Sequence, residues 1–403
     1  VIGMLFKSVV IEMLNVSVVF KNVFFSNVTI TDDLSNQFSY FYIRFKNSSL
    51  ANVTIQLMKT NDFHLTVTES TCTDTSAFIL CRHCSVTIVN STVIITNTFQ
   101  ETFTDLIQIG HQKPIYWRTK NIVRFTSVLV KCLANEPRII MLDAKLDNPT
   151  IIVEHSRFYK FLQVINIDTR RRGIAPLSNI ISVTVIDSSF LDNNSTTTGS
   201  VINVYLSQGL LHALNISVSG SRFLRNSAST LGGAICLITE KYISIEKAVP
   251  LVSISDTLFV DNFADDSGGS VFLGKGIIAS FVKCNFSVTN MNLFMINSKQ
   301  GFMVLSRGAL TLFDVHFKLK QKSTASTLAL DRDSSLEMHQ QIVIMHKCFL
   351  WSYSSHDFVY DNKIGLGKLS TFCKTCPHSK YSLGLTKMKF AYEFEQIPYI
   401  EYI

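Results

Sequence analysis

Glycine and proline are scarce in this chain, 17 and 7 among 403 residues, and Trp occurs only twice. With so few turn formers, and with Val, Ile, Phe, Ser, Thr and Asn abundant in a chain that is 47% hydrophobic, many short strands are favoured over helices. No uncharged run of about twenty apolar residues occurs, which excludes a membrane-spanning helix within these residues. The formal net charge of +7 is mild for the length. Its local clusters, Arg170-Arg171-Arg172 and Lys318, Lys320 and Lys322, read as solvated faces, so nucleic acid is not an expected partner. The histidines, among them His64, His111, His155, His316, His339 and His346, have no Ser or Cys partner at a catalytic spacing. The first twenty residues carry Lys7 and Glu12 inside an apolar pattern and read as strands, with no signal peptide. The chain is expected to be a fragment of a longer protein, with any membrane attachment in segments outside it.

What the chain does contain is a repeat. Phe190-Leu191-Asp192-Asn193 is followed by Gly199-Ser200, Phe223-Leu224-Arg225-Asn226 by Gly232-Gly233-Ala234-Ile235, and Phe259-Val260-Asp261-Asn262 by Gly268-Gly269-Ser270-Val271. In each copy Asn stands three positions after Phe and Gly nine after it. A fixed internal spacing in copies about thirty residues apart marks a solenoid, whose coils bury their apolar faces only against their neighbours. Upstream of each Phe lies an alternating stretch, such as Ile181-Ser182-Val183-Thr184-Val185-Ile186, which places aliphatics on one face of a strand and hydroxyls on the other. Downstream of the Gly a second strand follows. Residues 14–20, 51–57 and 86–95 use the same vocabulary less regularly.

Taking Cys132, Phe158, Phe190, Phe223, Phe259, Phe286 and Phe317 as register marks gives coils of unequal length, as in a parallel β-helix whose strands stay constant while loops vary. Roughly ten coils are expected over residues 1–345, least regular over 1–130. Residues 346–403 lose the alternation and read as the start of a cysteine-rich module. The repeat itself has a structural rationale. Phe can stack on the Phe of the next coil, and Asn can form an amide ladder while tolerating a left-handed turn. Gly199, Gly232, Gly233, Gly268 and Gly269 permit positive φ or close approach of coils. The competing reading has Asn193, Asn226 and Asn262 lining a ligand groove.

Two features suggest an oxidising, secretory compartment. Sequons for N-glycosylation occur at Asn15, Asn27, Asn47, Asn52, Asn90, Asn193, Asn194, Asn215 and Asn285, against roughly five expected by chance in so Asn-, Ser- and Thr-rich a chain. Of the nine cysteines, Cys72, Cys81 and Cys84 form one close group and Cys348, Cys373 and Cys376 another, and these six are the disulfide candidates. The odd total leaves at least one thiol outside any internal pairing. Cys81-Arg82-His83-Cys84 also has metal-ligand spacing, but a second half-site would have to come from Cys373 and Cys376, far along the chain, so no metal is expected.

The pairing of Phe-x-x-Asn with Gly-Gly-Ala-Ile, closest at Phe223 to Ile235 and looser at Phe259 to Val271 and Phe190 to Val201, resembles the repeat of the polymorphic outer-membrane proteins. Similar repeats occur in large surface proteins of the right-handed β-helix, pectin-lyase-like class. Cys373-Lys374-Thr375-Cys376-Pro377 with Tyr381-Ser382-Leu383-Gly384 resembles the cysteine-rich repeats of ephrin receptors, departing from them at His378-Ser379-Lys380. These resemblances imply an all-β chain: a right-handed parallel β-helix with a short, irregular, cysteine-containing C-terminal segment. They further imply a cell-surface location, with disulfides among Cys348, Cys373 and Cys376.

The expected function is therefore non-catalytic: an extracellular adhesive, interaction or spacer scaffold, with an unidentified protein or glycan as ligand and no cofactor beyond calcium held weakly by loops. The alternatives are a carbohydrate-active β-helix enzyme, as a polysaccharide lyase or glycoside hydrolase, and a purely structural stalk. Hydrolases of this fold class carry Gly-His-Gly and Arg-Ile-Lys, and pectate lyases carry Arg-x-Pro-x-x-Arg; the chain has none of them. Asp187, Asp192, Asp256, Asp261, Asp265 and Asp266 supply carboxylates, but Arg225 interrupts the position that Asp192 and Asp261 share, so no acidic pair lines up across neighbouring coils.

Overall fold

Alternation every second residue gives a strand one dry face and one wet face, and stacking such strands in parallel closes a wall around a core. The computed structural model describes residues 1–7, 10–13, 17–32, 40–57, 62–73, 79–81, 84–95, 105–109, 121–133, 140–144, 149–168, 181–206, 214–239, 251–288, 302–306, 309–320, 325–331, 335–339, 342–347, 352–361, 366–375, 385–391 and 399–402. They divide into two compact units, Val1–Asn194 and Ser195–Ile403. Each contains parallel strands stacked on three faces, and the fold is an all-β, right-handed parallel β-helix.

In the first unit, the strands Ser17–Lys21, Tyr40–Lys46, Asp62–Thr68, Cys84–Val89, Asn121–Thr126, Pro149–Glu154 and Ile181–Ile186 stack as face 1. Their register forms an inward column of Phe20, Phe45, Val67, Ile88, Phe125, Val153 and Val185, all buried. The chain then bends through one residue of left-handed backbone: Asn22, Asn47, Glu69, Asn90, Ser127, His155 and Asp187 have φ between 46° and 54°. Short polar side chains dominate this position because they tolerate that conformation best.

After the bend comes face 2, where Phe6, Phe25, Leu50, Cys72, Val93, Val130, Phe158 and Phe190 pair in a single column. Phe158 and Phe190 stack with centroids 5.3 Å apart and an interplanar angle of 8°. Cys132 is not the register mark of its coil. Val130 holds that place opposite Phe158, and Cys132 lies two residues beyond it, also buried. Strands Phe24–Asp32 and Ser49–Leu57 run on from face 2 into face 3, bending at Asn27 and Asn52.

The second unit repeats this plan. Leu214–Ser219, Leu251–Ser255, Ile278–Val282, Ala309–Phe313 and Ser335–His339 stack as its face 1. Phe223, Phe259, Phe286 and Phe317 form a continuous aromatic stack, with successive centroids 4.9, 4.7 and 5.2 Å apart. Among the described residues face 1 has seven strands in the first unit and five in the second, more than the roughly ten coils expected. The reason is that early coils are short. Equivalent bend residues stand 25, 22 and 21 positions apart from Val23 to Ser91, against 28 and 32 from Val128 to Ser188.

Beyond Lys347 the pairing changes sense. Leu366–Thr375 runs antiparallel to both Ala325–Asp331 and Ser352–Asp361, and Leu385–Ala391 runs antiparallel to Ile342–Lys347. These strands occupy edges that would otherwise present unpaired N–H and C=O groups, so the parallel stack terminates here.

The aromatic stack carries a testable weight. Truncating Phe259, which is wholly buried between two rings, should destabilise the protein by about 3–5 kcal/mol, while the neighbouring outward Val260→Ala should cost under about 1 kcal/mol. Urea denaturation followed by circular dichroism reads both.

Candidate functional site

The conspicuous polar residues of the repeat turn inward. Asn193, Asn226 and Asn262 are at most 2% exposed. The backbone N–H and Nδ2 of Asn226 both donate to Asn262 Oδ1 at 3.0 Å, and Asn262 Nδ2 donates to the Phe223 carbonyl at 2.9 Å. In the first unit the Phe161 N–H donates to Asn193 Oδ1 at 3.0 Å. Left-handed backbone falls one residue earlier than expected, on Asp192, Arg225 and Asp261, with φ of 54°, 51° and 52°. The left-handed residue makes the bend, which aims the following Asn into the interior to satisfy backbone groups of the adjoining coil. Buried and committed to internal hydrogen bonds, these amides line no groove.

The glycines serve the same packing. Gly232 has φ +61°, and a Cβ on it would lie 2.2 Å from the Ile235 carbonyl oxygen. On Gly233 a Cβ would come within 2.1 Å of the Gly269 carbonyl oxygen, so adjacent coils touch there backbone to backbone. Gly199 and Gly268 are also left-handed, with φ of +46° and +67°.

A second ladder went unread in the sequence. Directly after the first bend, Ser48, Ser70, Ser91, Ser156 and Ser188 are buried, and each hydroxyl donates to the carbonyl two residues before it. The same oxygens accept backbone N–H groups from the preceding coil: Val23 to Ser48, Ser48 to Ser70, Ser70 to Ser91, Val128 to Ser156 and Ser156 to Ser188, at 3.1 to 3.2 Å. In the second unit Ser221, Thr257 and Cys284 hold this position. The signal was present as a hydroxyl or thiol two residues before Phe158, Phe190, Phe223, Phe259 and Phe286.

Cys72 is corrected by its surroundings. It is a buried free thiol in the inward column between Leu50 and Val93, playing the part of a small hydrophobe and not of a disulfide partner. Burial pushes its thiol up to about 12, and does the same for Cys284, whose thiol donates to the carbonyls of Ile254 and Val282. Cys84 is buried and disulfide-bonded. The side chains of Cys81 and Cys373 and the whole of Cys348 and Cys376 lie outside the described residues.

Of the sequon asparagines, Asn27, Asn47, Asn52, Asn90, Asn194, Asn215 and Asn285 are exposed, whereas Asn15 lies outside the described residues. Asn193 is wholly buried with its amide engaged, so the folded coil has no room for a glycan there. Neighbouring exposed amides form outer ladders, with Asn47 Nδ2 donating to Asn22 Oδ1 and Asn52 Nδ2 to Asn27 Oδ1, both at 2.8 Å.

The carboxylates lie at separate bends. Asp187 and Asp256 are left-handed tips before face 2, Asp192 and Asp261 are tips after it, and Asp265 and Asp266 follow in the next loop. Among the described residues no three His, Cys, Asp or Glu side chains are grouped to hold a metal. His155 and His316 each lie beside a bend aspartate, Asp187 at 3.7 Å and Asp314 at 3.4 Å.

Comparison with protein-family models, with curated proteins and with solved structures finds no match to this chain.

Two outcomes are expected here. Ser156→Ala leaves the Val128 N–H buried without its acceptor and should cost about 1–3 kcal/mol, while Ser156→Thr is tolerated because Thr257 makes the equivalent internal bond. Cys72 and Cys284 should resist alkylation until the chain unfolds. Because folding raises both thiols, the stability they contribute is complete below the ordinary thiol value near 9 and is lost progressively as pH climbs towards 12. Denaturation midpoints measured across that range should fall, and should fall less in the Cys72→Ala, Cys284→Ser double variant.

Proposed function

We propose that this chain is a non-catalytic, extracellular interaction or spacer scaffold, part of a surface protein whose β-helix holds variable loops and glycans at set positions. The observation that carries this reading is the direction of the repeated polar groups. The asparagine and serine ladders are the most regular polar features of the chain, and both are used inside, joining coil to coil. What remains at the surface is irregular from coil to coil, as suits recognition or shielding and not a constant reaction. Seven exposed sequons at bends or along the outer walls support a secretory route. The resemblance of Phe223 to Ile235 to the polymorphic outer-membrane repeat, and of the Cys373 to Pro377 segment to ephrin-receptor modules, supports an adhesive surface protein as the finer assignment.

The test is expression behind a secretory signal in a eukaryotic host. Soluble protein is expected in the medium, and enzymatic deglycosylation in heavy-oxygen water should label some of Asn27, Asn47, Asn52, Asn90, Asn194, Asn215 and Asn285 but never Asn193. Retention of all the protein inside the cell without any glycan would sink the extracellular reading. Release of new reducing ends or unsaturated sugars from a polysaccharide panel would sink the non-catalytic one.

A further inference from the structure

On the outer side of face 1 in the first unit, two adjacent rungs carry three cations, Lys21, Arg44 and Lys46, with no acid at the outward positions beside them. The outward positions are Ser17, Val19 and Lys21 on the first strand, Tyr42, Arg44 and Lys46 on the second, and His64, Thr66 and Thr68 on the third. No acid is among the nine. Lys21 stands directly opposite Lys46 on adjacent parallel strands, a spacing of about 4.8 Å, and like charges so placed repel. Lys21 is exposed, while Arg44 and Lys46 are half-buried beside the half-buried Tyr42 ring, so the charges of the Arg44 and Lys46 side chains are only partly relieved by water.

Arg44 adds an independent sign. Its Nε is shut off from solvent and has no hydrogen-bond partner among the described residues, although a buried donor left unmade is costly. The same outward column shows how this fold pairs an arginine when nothing else is needed: Arg124 lies 3.5 Å from Glu154 on the next strand. Arg44 has Val19 on one side and Thr66 on the other. Glu69 sits on the bend after Thr68, and among the described residues no ion pair joins it to these cations; Asp62, the first residue of the third strand, stands opposite Tyr40 and not opposite a cation. Two local rules broken in one place, a like-charge pair and a buried donor left unmade, mark a site that is completed from outside.

We propose that Lys21, Arg44 and Lys46 bind the acidic groups of an anionic polysaccharide, with the Tyr42 ring as a platform for a sugar face. The guanidinium of Arg44 offers a planar fork matched to a sulfate or carboxylate, and the two lysines supply point charges on the flanking rungs. A flat sheet with three cations in two rungs and an aromatic beside them suits a sugar chain. It offers too few charges to track the closely spaced phosphates of a nucleic-acid duplex. The inference deepens the interaction-scaffold reading and rests on it, but its test does not depend on secretion.

Because Asn47 follows Lys46 directly, the protein is produced without glycans and passed over immobilised heparin, hyaluronate and duplex DNA at about 0.15 M salt. Retention by heparin or hyaluronate, and not by DNA, is expected; which of the two polymers holds the protein identifies sulfate or carboxylate as the group bound. Arg44→Ala and the Lys21→Ala, Lys46→Ala double variant should each weaken binding about tenfold or more, and Arg44→Lys should fall between. The lysine variant should melt no lower than the parent, since it removes a repulsion. Removing two exposed cations elsewhere, Arg222→Ala with Lys283→Ala, should leave binding unchanged. Absence of retention on both polysaccharides, equal retention on DNA, or equal weakening by the Arg222, Lys283 control would each overturn the site. A protein that is secreted and glycosylated yet ignores both polymers loses this inference alone.

Discussion

The vertical registration of one coil on the next is the constraint from which the remaining structure follows. Parallel backbone pairing alone would allow a strand to slip, but a slip by one residue would turn every inward side chain to water. The buried serines make slipping costlier still. Each hydroxyl is held by the carbonyl two residues earlier and receives an N–H from the preceding coil, so it pins the bend to the bend above it. With the bend pinned, the residue two positions later has only one place to go. That is why Phe158 and Phe190, and Phe259 and Phe286, lie face to face at about 5 Å without any direct chain connection.

This dependence explains which parts were legible beforehand. Phe, Asn and Gly at constant spacing are visible because each is the one residue type that suits its position: a ring for the stack, an amide for the inner ladder, and no side chain where Gly233 meets the Gly269 backbone. The serine ladder was harder to see, since Ser is common everywhere in the chain and Thr257, Cys284 or Val315 can replace it. Cys72 was misleading for the opposite reason. A cysteine near others in sequence suggests a bridge, yet its place in a strand turns it towards Leu50 and Val93, where size and polarizability decide. The N-terminal coils were underestimated because their column changes from Phe25 to Leu50, Cys72 and Val93, which removes the aromatic mark while keeping the register.

The surface obeys no comparable rule, and there sequence reading had least purchase. Whether an outward cation is paired depends on the residue one coil away, twenty to thirty positions distant in the chain. Arg124 meets Glu154 because a coil of 28 residues separates Thr126 from Glu154 on adjoining strands. Arg44 meets Val19 and Thr66 instead. Neither fact is visible in a local motif, since both arise only when coil lengths are known. The same is true of the sequons, of which Asn193 and Asn194 are neighbours in sequence but opposite in burial, separated by the turn of a single residue at the bend.

A solenoid of this kind separates two demands that compete in most globular domains. Inward positions carry the ladders and stacks and tolerate little, because a defect at one rung interrupts contacts on both sides. Outward positions sit on a wall that stands without them, so charge, ring or hydroxyl can vary from coil to coil at small cost to the core. Lys21 opposite Lys46 is an arrangement that only such a wall can carry: the repulsion is borne by a strand pair held on its other side by Phe20 stacked on Phe45, with centroids 5.2 Å apart. The inner stack therefore gives the outer surface freedom to be locally unfavourable, and an unfavourable surface is one that gains most from a ligand of opposite charge.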